Sequence, residues 1–194
     1  MVFPSPAARA GSMTILGAVL AGGRATRFGS DKALARLGEA TLLDHALTSL
    51  LPHVDALVVI GRDTAPVAVA PDLPHADLGP LGGIAGALAH ARAIGCTSVL
   101  TTACDTPMLP GTLVATLLAC EAAHAREAPT VGHWPVRLLQ PLLARLNTGE
   151  SRSIRRWAAD AGVAAMLPGV TVANVNTTED LANLVDAKMP SPRT

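Results

Sequence analysis

The 194-residue chain predicts an α/β fold, a single three-layer domain whose mostly parallel sheet is covered by helices on both faces. Three observations carry this. Short apolar runs alternate along the chain with segments of helical period. The runs show no alternating polar face, which is the signature of strands buried on both sides. Each run closes on Gly, Pro or Asp, residues that end strands.

Taken in order, Ile15 to Leu20 is the first strand and runs into Gly22-Gly23. Leu42, Leu43, Ala46, Leu47 and Leu50 follow with helical spacing, and Pro52 ends that helix. Ala56 to Ile60 is a second strand, closed by Gly61. Val67 to Ala70 is a third, closed by Pro71-Asp72. Gly79-Pro80-Leu81-Gly82-Gly83 opens a helix through about Ala93, with Ile84, Leu88 and Ala91 on one face. Thr97 to Thr101 is a fourth strand, stopped by Asp105-Thr106-Pro107, and Pro110 starts a helix to about Ala123. Beyond it, Pro129 to Val136 reads as a short strand pair. Leu138 to Leu146 and Ser151 to Ala159 read as helices. Val170 to Val175 reads as a strand and Thr178 to Val185 as a final helix. Thr177 or Thr178 with Glu179-Asp180 makes a good helix start, because hydroxyl and carboxylate groups satisfy the free N–H groups there. Residues 1–12 read as a disordered leader, 13–188 as the domain and 189–194 as a disordered tail. Both Met1 and Met13 fit a natural start.

Composition removes several function classes. Hydrophobic residues make up 49% and charged residues 15% of the chain, which sets a packed core against a charged tail. Aromatics are 2%, with no Tyr, so a stacking platform for single-stranded nucleic acid is not expected. Lys+Arg and Asp+Glu number 15 each, leaving no global basic field for nucleic acid or anionic membrane. The three cysteines, Cys96, Cys104 and Cys120, form no CxxC, which fits a reducing cytoplasm. No apolar run reaches the ~18 residues of a membrane span. Arg9 followed by Ile15 to Ala21 imitates a signal peptide, but the run is short and Gly22-Gly23-Arg24 stands where the cleavage site belongs. The scattered histidines have no zinc-ligand spacing.

Ligands of parallel sheets bind outside the carboxyl ends of the strands. Leu20, Gly61, Asp72 and Asp105 all fall at or just past those ends. The most informative segment is Leu20-Ala21-Gly22-Gly23-Arg24-Ala25-Thr26-Arg27-Phe28-Gly29-Ser30-Asp31-Lys32. Glycines let backbone N–H groups approach phosphate oxygens, and two arginines and a lysine neutralise them. It is neither a Walker A loop nor GxGxxG. Asp105, at a strand end facing such a loop, suits a hard cation: Mg²⁺ takes one or two carboxylates plus phosphate oxygens and water. Alone, the Asp-Thr-Pro turn reads equally as an Asx turn or helix cap. Cys104 lacks a paired His and reads as a packed strand-end cysteine rather than a nucleophile.

The glycine-rich segment resembles the LAGG-x-x-x-R-[MF]-G-x-DK signature of nucleotidyltransferases with a Rossmann-like, nucleotide-diphospho-sugar transferase (glycosyltransferase-A) fold. Cys104-Asp105-Thr106-Pro107 at this spacing resembles one branch, the molybdenum cofactor guanylyltransferases. Asp72 ahead of Gly79-Pro80-Leu81, Gly149-Glu150-Ser151-Arg152 and Asn174-Val175-Asn176-Thr177 resemble that branch's later motifs. The likeness spans roughly residues 14 to 185. It implies that Leu20, Ala21, Gly22, Gly23, Lys32, Gly61, Asp72 and Asp105 bind the nucleotide, and that Arg27, Lys32 and Asp105 are catalytic. It further implies Mg²⁺ on Asp105 and the acceptor on Asn174, Asn176 and Arg152. Two departures stand out: Gly61 falls where the family usually carries Asn, and Thr178 replaces a Pro. The two asparagines read equally as strand-end caps of the last helix, and Arg152, Arg155 and Arg156 as a solvated helix face.

The expected function is therefore Mg²⁺-dependent transfer of GMP from GTP to molybdopterin-bound molybdenum, with release of pyrophosphate, in the cytoplasm. The expected partners are GTP and Mo-molybdopterin as substrates, with transient contact to molybdoenzyme assembly proteins, no nucleic acid and no membrane. A CTP-using sister enzyme or related nucleotidyltransferase is the near alternative. A non-catalytic nucleotide-binding partner in molybdoenzyme assembly is the alternative of a different class.

Overall fold

Strand β1 (Ile15–Leu20) lies inside the main sheet, paired along both edges, and is buried along almost its whole length, which is why its sequence is apolar without alternation. The structure is a computed structural model describing residues 14–22, 31–167, 172–175, 177, 179 and 180. The leader at 1–12, the tail at 189–194, Gly23, Arg27, Asn176, Thr178 and the final helix beyond Asp180 lie outside the described residues.

After β1 come a single 3₁₀ turn (Lys32–Leu34), a two-stranded ribbon of β2 (Arg36–Leu37) and β3 (Ala40–Thr41), and helix α1 (Leu42–Leu50). The chain continues through β4 (Ala56–Ile60), β5 (Ala68–Ala70), α2 (Pro80–Ala93), β6 (Ser98–Ala103) and α3 (Gly111–Leu118). The remainder is β7 (Ala123–Ala125), β8 (Gly132–Pro135), α4 (Leu139–Asn147), α5 (Ile154–Asp160) and β9 (Ala164–Met166). The main sheet has seven strands in the order β5-β4-β1-β6-β8-β7-β9. Its first four strands are parallel, β8 is antiparallel to both neighbours, and β9 is parallel to β7.

Period-two side-chain geometry splits the core into two layers. Leu16, Ala18, Leu20, Val58 and Ile60 meet Leu81, Ile84 and Leu88 of α2, Leu142 of α4 and Trp157 of α5. Val19, Val59 and Leu100 meet Leu43, Leu47 and Leu50 of α1 with Leu113 and Leu117 of α3 on the opposite face. The three-layer α/β expectation therefore holds. Helix α1 is opened by a reciprocal cap in which the Thr41 hydroxyl accepts from Asp44 N–H and the Asp44 carboxylate accepts from Thr41 N–H. Helix α2 sits close over the β5 exit, since a Cβ on Gly86 would stand 2.2 Å from the Pro71 carbonyl oxygen.

Several sequence expectations need correction. The helix after Pro110 stops at Leu118 instead of Ala123, and Ala123–Ala125 is strand β7. Pairing with β8 and β9 overrides the helix preference of alanine there, and Ala123 and Ala125 are fully buried. The strand pair expected within Pro129–Val136 is formed between β7 and β8, so only Gly132–Pro135 of that stretch is strand. Of the strand expected at Val170–Val175, the described residues 172–175 carry none. Strand β9 and the β2–β3 ribbon were not foreseen. The helix expected from Ser151 begins at Ile154, with Ser153 as its cap. The start of the last helix fits its expectation: Thr177 N–H donates to Asp180 and Asp180 N–H donates to the Thr177 hydroxyl.

Candidate active site

Strand register builds the site. Leu20 at the end of β1 stands beside Ile60 of β4 and Ala103 of β6, and Ile60 stands beside Ala70 of β5. The residues that follow these four ends therefore emerge along one edge of the sheet: Ala21-Gly22, Gly61-Arg62, Pro71-Asp72 and Cys104-Asp105. They line a cavity of about 820 Å³ together with Lys32 and the first turn of α2. The dipole of that helix favours an anion at this end.

Across the cavity, Lys32 Nζ lies 3.8 Å from Asp105 Oδ2, with side chains 15% and 33% exposed. Burial raises the Asp105 pKa above the usual carboxylate value, and the Lys32 ammonium partly offsets that rise. The turn bearing Asp105 is fixed by Thr106. Its N–H donates to the Ala103 carbonyl, and its buried hydroxyl accepts from Ala103 N–H and bonds the Thr102 hydroxyl at 2.9 Å. This is the physical use of threonine in Asp-Thr-Pro. From the far end of the chain, Val175 N–H donates to the Asp105 carbonyl at 2.8 Å, while its side chain packs, fully buried, with Leu37 and Leu42. The Asn174-Val175 segment thus reaches the Asp105 turn, with Asn174 exposed.

Asp72 is surrounded by glycines. Built Cβ atoms on Gly22, Gly61 and Gly83 would lie 3.3, 3.4 and 3.5 Å from its carboxylate oxygens. Burial and the neighbouring Asp77 both raise its pKa. Cys104 has its thiol pushed up to about 11, chiefly by burial and then by Asp105, which disfavours the nucleophilic thiolate.

The cavity gathers Leu20, Ala21, Gly22, Lys32, Gly61, Asp72 and Asp105 from the expected set. Gly23, Arg27 and Asn176 lie outside the described residues. Arg152 and Asn174 are not among the lining residues. Arg152 Nη1 instead donates to the carbonyl of Asp77, a residue that does line the cavity, at 3.1 Å. Arg155 donates through Nε and Nη2 to the Arg126 carbonyl, and Arg156 is exposed. Sequence reasoning missed Asp31, Arg62 and Thr130 as cavity residues. Arg62 could have been found, because it follows a strand end as the other site residues do.

Among the described residues no three His, Cys, Asp or Glu side chains converge as metal ligands. A cation at Asp105 would complete its shell with phosphate oxygens and water, and a hard carboxylate lining this cavity fits Mg²⁺ in that role. No helix among the described residues is long and apolar enough to cross a membrane.

The chain is similar to proteins of known family. Residues 17–174 match the family model of the MobA-like NTP transferase domain. A molybdenum cofactor guanylyltransferase of Rhizobium leguminosarum bv. trifolii is 41% identical, over 75% of each chain. Another, of Rhodobacter capsulatus, is 37% identical over 90% of this chain and 96% of its own. Among solved structures, molybdopterin-guanine dinucleotide biosynthesis protein A from Archaeoglobus fulgidus superposes with a TM-score of 0.70 at 21% identity, covering 90% of this chain and all (100%) of that one. The 2-C-methyl-D-erythritol 4-phosphate cytidylyltransferase of Thermus thermophilus superposes at 0.66 with 16% identity, over 90% and 98%. These two likenesses speak to the nucleotide-diphospho-sugar transferase fold.

Proposed function

The chain belongs to the MobA-like NTP transferase family, and from that premise we propose that it transfers GMP from GTP to Mo-molybdopterin and releases pyrophosphate. The carrying observation is the pairing of Lys32 and Asp105 across a cavity built from four strand ends. Relatives named as molybdenum cofactor guanylyltransferases at 41% and 37% identity support GTP over CTP. Likeness to a cytidylyltransferase at 16% concerns the fold alone.

In this reading the terminal phosphate of the acceptor attacks the α-phosphorus of GTP in line. A phosphate-oxygen-to-phosphorus bond forms and the α–β phosphoanhydride bond breaks, with both electrons leaving on pyrophosphate. A phosphate monoester is already ionised near neutral pH, so no strong general base is required. Lys32 and Arg27 offset the negative charge that grows on the transferred and leaving groups. Gly22 and Gly23 bring backbone N–H groups to the phosphates. Asp72 and Gly61 would serve the nucleoside, and Asn174, Asn176 and Arg152 would serve the acceptor. Asp105 would hold Mg²⁺, which when bound neutralises phosphate charge and aligns the reactants.

The three free cysteines suit a reducing cytoplasm. A labile pterin product would be received by a molybdoenzyme assembly protein. Calorimetric titration with GTP, CTP and ATP, each with and without Mg²⁺, tests the nucleotide assignment. GTP-selective binding that depends on Mg²⁺ supports it; CTP selectivity refutes it.

A further inference from the structure

Asp31 and Arg62 form the second charged pair of the cavity, and nothing in the transfer chemistry above uses it. Arg62 Nη1 donates to Asp31 Oδ1 at 2.9 Å, and Nη2 lies 2.6 Å from Oδ2. This is a two-pronged match of guanidinium to carboxylate, the strongest geometry open to an ion pair. The same Oδ1 accepts the Ala33 N–H at 3.1 Å and so caps the 3₁₀ turn that begins at Lys32. One carboxylate is therefore gripped by the β4 loop and itself grips the turn carrying the phosphate lysine. At the other end of that turn's reach, Lys32 Nζ meets Asp105. The Arg62 side chain is only 17% exposed. Its two Nη groups face Asp31, and its buried Nε has no partner among the described residues.

We propose that Arg62 is a positioning residue: by clamping Asp31 it fixes the Lys32 turn and holds the Lys32 ammonium beside Asp105. The β4 loop thereby reports to the glycine-rich loop through a single carboxylate. What Lys32 does there rests on the guanylyl-transfer reading; where Lys32 sits rests on geometry alone.

The chain contains only two lysines, Lys32 and Lys188. ¹³C-lysine labelling of the full chain therefore gives Lys32 its own Cε signal, assigned by the loss of the other in Lys188→Arg. In the ligand-free protein, Arg62→Gln and Asp31→Asn each displace the Lys32 signal. The double variant displaces it no further, and Arg62→Lys does not restore it, because an ammonium cannot match both oxygens. Asparagine retains a capping oxygen, so Asp31→Asn isolates the clamp from the cap, and circular dichroism checks that each variant folds. In turnover, each single variant lowers kcat about tenfold, as misplacement of a charged group does, with the KM for GTP little changed. The double variant matches the singles. A Lys32 signal unmoved in both variants overturns the proposal. So does a normal kcat in Asp31→Asn beside a raised KM for GTP in Arg62→Gln, which would make Arg62 a direct nucleotide ligand through Nε. Failure of the wild type to turn over GTP would refute the transfer reading, and the Lys32 signal would still decide the clamp.

Discussion

Gly61 and Gly22 lie so close that a Cβ on Gly61 would stand 2.6 Å from the Cα of Gly22 and 2.9 Å from its nitrogen. Gly61 also has φ of +82°, a backbone region that other residues enter at a cost. The contact lets the β4 exit support the base of the glycine-rich loop, and it gives a physical reason for glycine at position 61. Gly61→Ala is expected to destabilise the fold by about 2 kcal/mol through the positive φ and the collision together. It is also expected to weaken GTP binding, because Gly22 must move. Urea denaturation and calorimetry check the two effects; an unchanged midpoint would mean that the two loops do not bear on each other.

Burial and Asp77 raise the Asp72 pKa above its unfolded value. The folded state therefore disfavours the ionised carboxylate, and this penalty is present above the folded pKa and vanishes below the unfolded one. Asp72→Asn should raise the melting temperature of the ligand-free protein at pH 7. The gain should shrink as pH falls through the carboxylate range. The same variant should bind GTP more weakly, so stability and ligand affinity move in opposite directions. Melting curves at pH 7 and pH 4 with and without GTP measure this, and a loss of stability at pH 7 would contradict it.

Cys104 adjoins Asp105 but has a thiol pushed up to about 11. At pH 8 only about one part in a thousand is thiolate, so alkylation should be roughly a hundredfold slower than for an ordinary thiol of pKa near 8.5. Site-resolved mass spectrometry after a timed iodoacetamide pulse checks this. Cys104→Ser should retain turnover; loss of turnover with the fold intact would restore a chemical role to the thiol.

Much of this architecture was legible from residue pattern. β1 and β4 read correctly to the residue because central parallel strands need uninterrupted apolar runs. Helices α1 and α2 read correctly because their apolar faces and Pro/Gly boundaries agree. Reading failed where alanine dominates: Ala122 to Ala125 and Ala164 to Met166 have no period and little strand preference. Their pairing is set by partners far along the chain, as in Ala123 with Ala164. In the site, the placement of Asp72 and Asp105 on the cavity was legible because strand ends of a parallel sheet share one edge, and that of Lys32 because it closes the glycine-rich segment. The Asp31–Arg62 clamp was not, since no spacing encodes a pair 31 residues apart. Nor was the turn of Arg152 toward the Asp77 carbonyl, 75 residues away.

The most direct measurement is product analysis by mass spectrometry after incubation with equal GTP and CTP, Mg²⁺ and Mo-molybdopterin, for the wild type and Asp105→Ala. The wild type should form the guanine dinucleotide with one pyrophosphate per product. Asp105→Ala should fold normally and form less by at least about a hundredfold, the scale of a lost electrostatic catalyst. Cytosine dinucleotide from the wild type, or near-normal guanine dinucleotide from Asp105→Ala, would contradict the account.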